Sequence, residues 1–149
     1  MSTPKWVRVD PTEVERDIAS RKGRGVELRL FLSPYDVPDA VRGRYDSNLG
    51  RFVIEFRYIQ EEEWERDEHH EYITLRLGKN SRRILGIEID VDRLKADHIK
   101  LDLRRMVGRR IRKIAKSGKR RVPQGNYDAA IDILHDKERE VLEELKPVG

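Results

Sequence analysis

The stretch RFVIEFRYI, residues 51–59, alternates bulky apolar side chains with others at a period of two. Phe52, Ile54, Phe56 and Tyr58 fall on one side, and Val53, Glu55 and Arg57 on the other. A helix turns once in about 3.6 residues and would scatter these positions around its axis, so the pattern demands a strand with one buried face. Neighbouring segments repeat it. VELRLFL groups Val26, Leu28, Leu30 and Leu32; EYITLRL groups Ile73, Leu75 and Leu77; RRILGIEIDVD groups Leu85, Ile87, Ile89 and Val91. AVRGRYD is a weaker member, with Val41 and Tyr45 inward. NLG and GKNS between them are turn sequences. Residues 26–92 therefore predict a five-stranded antiparallel sheet with one apolar face, and such a face needs a cover of helix.

Helix signals flank the sheet. Asp10 suits an N-cap, Pro11 the first helical position and Glu13 a capping box, with Val9 and Val14 as a hydrophobic staple and Gly23 as the stop. After the sheet, Leu103, Val107, Ile111 and Ile114, with Met106 beside them, form a helical stripe from about Asp102. Ile99, Leu101 and Leu103 alternate by two, which leaves a sixth strand open before that helix. Gly118, Pro123 and Gly125 then break the pattern. Asn126 can cap a last helix, whose Tyr127, Ile131, Leu134, Val141 and Leu145 make a heptad-like seam interrupted by Glu138. The predicted architecture is α+β: an N-terminal helix, the five-stranded sheet, a basic helix packed on it, and a C-terminal acidic helix. Its predicted boundaries are a core domain over 1–117, a linker over 118–125 and the acidic helix over 126–149.

Charge is abundant, at 40% of residues against 37% hydrophobic, but the apolar positions are too ordered for a disordered chain. The net charge of +4 conceals strong blocks. Residues 1–93 carry 17 basic and 19 acidic side chains, residues 94–121 carry 12 and 2, and residues 122–149 carry 3 and 7. Blocks of this kind mark interaction segments. With no cysteine, disulfides, thiolate–metal sites and a cysteine nucleophile are excluded. The first residues have no apolar signal region and no stretch reaches membrane-spanning length, so a cytoplasmic protein with no membrane partner is expected.

The basic block points to nucleic acid. Residues 104–121 hold ten Lys or Arg and no acid, which would draw phosphates and release their counterions. The apolar stripe leaves Arg104, Arg105, Arg109, Arg110, Arg112 and Lys113 on a polar arc, with Lys116 after them and Lys119, Arg120 and Arg121 as a following arm. No aromatic is interleaved, so phosphate contact without strong sequence preference is the expected mode. The function expected is that of a small, non-enzymatic binding protein of the bacterial or phage kind. Three rivals stand beside it. The acidic helix could fold back and neutralise the cations, the run could be only a solvated face, or Ile131, Leu134, Val141, Leu142 and Leu145 could dock on a protein partner or a second copy.

Other constellations are weaker. Arg29, Arg42, Arg44, Arg57 and Arg76 share the sheet's outer face with Glu27, Glu55 and Glu88, which cross-strand ion pairs explain. A basic platform for RNA is the alternative. Glu88, Asp90 and Asp92, with His69, His70 and Glu71 nearby in sequence, raise a divalent-metal site, but HHE lacks ligand spacing and Asp90 and Asp92 also suit turn and cap roles. His98 and His135 are isolated, and GKNS lacks the glycines of a phosphate-binding loop. No cofactor, metal or catalytic residue is expected.

Overall fold

The computed structural model describes residues 6–8, 37–67, 72–117 and 122–143. Its sheet is built from β1 (Val7–Arg8), β2 (Ala40–Asp46), β3 (Arg51–Arg57), β4 (Trp64–Arg66), β5 (Ile73–Gly78) and β6 (Ile84–Ile89). The order is β1-β2-β3-β6-β5-β4, and every neighbouring pair is antiparallel. Four of the five predicted strands are present as β2, β3, β5 and β6. The fifth, at 26–32, and the N-terminal helix lie outside the described residues. Among the described residues the sheet nevertheless has six strands rather than five, because β1 pairs onto β2 and β4 onto β5. Two or three residues are too few to show a period, so a partner's open edge defines such strands and their own sequence does not.

The apolar face follows the alternation in β3 and β5. Phe52, Ile54, Phe56, Ile73, Leu75 and Leu77 are all buried. In β6 the pattern shifts. Arg76 pairs with Gly86 but Leu77 pairs with Ile84, which leaves Leu85 as the extra residue of a β-bulge. Ile84 is therefore fully buried beside Ile87 and Ile89, while Leu85, expected inward, is only partly buried. Tyr45, also expected inward, is 50% exposed at the hairpin end, where Asp46 accepts the N–H groups of Asn48 and Leu49 and Gly50 adopts φ 65°.

Four helices follow: α1 (Val91–Ala96), α2 (Leu103–Ser117), α3 (Gln124–Asp136) and α4 (Glu138–Val141). Asp90 caps α1 by accepting the Arg93 N–H at 3.1 Å. The helix ends in a Schellman motif, with the N–H groups of His98 and Ile99 reaching the carbonyls of Lys95 and Leu94, and His98 in the left-handed region at φ 55°. Residues 99–102 are not a strand. Asp102 caps α2 instead, accepting the Arg105 N–H at 3.2 Å.

The last helix differs from expectation in its start and its continuity. It begins at Gln124, and Asn126 is no cap. Its buried side chain accepts the Ile84 N–H at 2.7 Å and donates to Tyr58 Oη at 2.9 Å, while the Tyr58 hydroxyl donates to the Ile84 carbonyl at 2.6 Å. This closed set pins α3 to the start of β6. The helix then breaks at Lys137, and the one-turn α4 carries Val141 onto β2. Leu94 of α1, Val107 of α2, Ala129, Ala130 and Ile133 of α3, and Val141 of α4 share one core with the sheet.

Candidate nucleic-acid interface

Helix α2 is amphipathic and lies against β5. Val107 is fully buried, and Leu103, Met106, Ile111 and Ile114 pack partly buried around it. Gly108 lets α3 approach closely, since a β-carbon there would stand 3.0 Å from the Tyr127 hydroxyl. That hydroxyl donates to the Arg104 carbonyl, and burial raises the Tyr127 phenol above its usual pKa.

These contacts divide the cations that the sequence places on one arc. Arg110, expected on the polar arc, is buried instead. It is 6% exposed and its guanidinium is held by the Asp67 carboxylate, whose other oxygen accepts the Leu75 N–H at 2.6 Å. Arg110 ties the basic helix to the sheet and does not face outward. Arg104 faces α3 and pairs with Asp132 at 3.2 Å. Arg105, Arg109, Arg112, Lys113 and Lys116 are exposed. Arg105, Arg109 and Lys113 stand four residues apart, so they form one row along the helix, each step rising about 6 Å. Lys119, Arg120 and Arg121 lie outside the described residues.

The row overlooks a groove of about 250 Å³. Lys100, Arg105, Arg109, Lys113 and the Asp67-paired Arg110 line it with a single carboxylate, Asp102, and Tyr72, Ile73, Ile99 and Met106 supply apolar surface. Lys100 falls outside the basic run, and it is the loop after the Schellman turn that delivers it to the groove. Nothing in the periodicity pointed to Lys100, Tyr72 or Ile99 as neighbours of this row. None of the ion pairs between described residues involves Lys100, Arg105 or Arg109. A second groove, of about 510 Å³, lies between the start of α2 and the end of α3, and mixes Lys100, Arg104 and Arg105 with Asp102 and Glu138.

The other candidate sites are occupied by internal contacts. On the outer face of the sheet, Arg42 and Arg44 donate to Glu55 at 2.9 and 2.7 Å. Arg51, Arg66 and Arg76 converge on the fully buried Glu88 at 3.0, 2.7 and 2.7 Å. Burial opposes ionisation of both glutamates, but the arginine hydrogen bonds outweigh it and hold both pKa values below the usual carboxylate range. Arg42 and Arg57 also lie over Trp6, and Arg66 and Arg76 over Trp64. Arg29 and Glu27 lie outside the described residues.

The described members of the metal constellation have other roles. Glu88 is held by arginines, Asp90 caps α1, and Asp92 is exposed in its first turn. No cluster of three or more His, Asp or Glu occurs among the described residues, and His69, His70 and Glu71 are not among these. Of the docking seam, Ile131, Leu134 and Val141 are buried in the chain's own core, and Leu142 packs partly buried against it. Leu145 lies outside the described residues. No helix among the described residues is long and apolar enough to cross a membrane.

No protein-family model matches this chain, and no curated protein or solved structure does. The site must speak through its own chemistry.

Proposed function

We propose that this protein binds nucleic acid through its phosphate backbone, along the exposed face of α2, without a catalytic step. One observation carries the reading: Arg105, Arg109 and Lys113 form a continuous cationic row with Lys100 alongside and Lys116 beyond, while Asp132 of the acidic α3 pairs with Arg104, off that row. The rival in which the terminal helix quenches the basic block is supported by the Arg104–Asp132 pair. The rival in which its apolar seam docks a partner must do without Ile131, Leu134 and Val141, which the core already buries.

Charge reversal of Arg105 and Arg109 to Glu tests the proposal. Both side chains are exposed, so the fold persists. Fluorescence anisotropy with a labelled oligonucleotide at low salt should show affinity reduced at least about tenfold, given the strong dependence of such binding on each phosphate contact. Equal affinity of the variant and the parent would refute it.

A further inference from the structure

The floor of the groove is the feature that phosphate contact leaves unexplained. Ile99 is 41% exposed, and it lies among Lys100, Arg105 and Arg109 rather than on a neutral surface. The Schellman turn at His98 fixes it there, and Met106 and the buried Ile73 continue the apolar surface. The Tyr72 hydroxyl donates to Asp97 at 2.9 Å, which holds that ring at the groove's edge.

An anion with phosphate alone would use the cations and leave this floor wet. A duplex is such a ligand, because its bases are paired inside and its phosphates and sugars face outward. An unpaired strand offers both parts. Its phosphates can follow Arg105, Arg109 and Lys113 at steps of about 6 Å along the helix, while a base turned away from the backbone covers apolar side chains. A groove of about 250 Å³ has room for one base. Beside the Asp67-paired Arg110, the groove sets Lys100, Arg105, Arg109 and Lys113 against the one carboxylate of Asp102, which suits a group flanked by phosphates.

We infer that the nucleic acid taken by this surface is single-stranded, with one unpaired base seated in the groove over Ile99 and Met106. This rests on the proposed phosphate-binding role of α2, and the test separates the two. Three labelled probes are compared by anisotropy: a single strand of about twelve nucleotides, the matched duplex, and the same single strand made abasic. The intact single strand binds about tenfold tighter than the other two, the size expected for seating one base. Ile99→Ser, at a half-exposed position, lowers affinity for the intact strand severalfold and leaves duplex binding unchanged.

Equal binding of all three probes overturns the inference and leaves phosphate binding standing. Duplex binding tighter than single-strand binding does the same. If no nucleic acid binds and a poly-glutamate peptide does, both the inference and the proposed function fall. The abasic comparison uses the parent protein, so a folding defect in the Ile99 variant cannot mask the answer.

Discussion

Arg110 offers the sharpest contrast between what the charge run suggests and what the fold does with it. As a phosphate contact it would be dispensable to folding, and its removal would cost only affinity. As the partner of Asp67 it is part of the core. Both side chains are almost fully buried, at 7% and 5% exposure, so removing one leaves the other charge unpaired in a poorly solvated place. Such a loss costs about 3–5 kcal/mol. For a domain of this size about 1 kcal/mol moves Tm by roughly 3 °C, so Arg110→Ala should lower Tm by about 10–15 °C. Asp67→Asn should do nearly the same, because it removes the charge while keeping an acceptor for the Leu75 N–H. Urea denaturation of both variants and of the double variant completes a cycle, in which the double variant costs clearly less than the two singles together. Arg110→Ala within about 1 kcal/mol of the parent, well below the cost of orphaning a buried charge, would refute the anchoring role.

Two further outcomes follow from local geometry. A β-carbon at Gly43 would land on the carbonyl oxygen of Val141 and the ring of Phe52, so Gly43→Ala should push α4 off β2 and cost about 1–3 kcal/mol in urea denaturation. Burial disfavours the charged Glu62 carboxylate, but hydrogen bonds from Ser81, Arg83 and Asn80 prevail and lower its pKa from 4.5 to about 2. A carboxyl depressed on folding stabilises fully above its unfolded pKa and loses that contribution as pH falls toward the folded value. Glu62→Gln should therefore cost up to about 3 kcal/mol near neutral pH, and the difference from the parent should vanish between about pH 4.5 and pH 2. A gap that stays constant with pH would contradict the assignment.

The sheet was legible wherever a strand was long enough to alternate and lacked a bulge, except at the hairpin end, where Tyr45 is exposed. In β3, Phe52, Ile54 and Phe56 needed nothing beyond their spacing. Ile84 and Leu85 exchanged places because a bulge is a property of two paired strands, invisible in either alone. Strands β1 and β4 were missed for the same reason. The basic helix was legible from its stripe, with its start left open, yet the division of its cations was not. Arg104 and Arg105 are adjacent in sequence, but one meets Asp132 and the other overlooks the groove. Arg110 follows Arg109 directly and is taken inward by Asp67, forty-three residues earlier. Charge counts add such residues together, and only packing separates them. Asn126 has the chemistry of a cap, and the fold uses its amide instead to join Tyr58 and Ile84.

The measurement that tests the central claim most directly is the salt dependence of oligonucleotide binding by the parent and by the Arg105→Glu, Arg109→Glu variant. If Lys100, Arg105, Arg109, Lys113 and Lys116 all meet phosphates, log K against log salt should fall with a slope of about −3 to −4 for a single strand. The variant should show a slope shallower by at least about 1.4, the share of two contacts. A parent slope near zero, or identical slopes for both proteins, would mean that phosphates do not lie along α2.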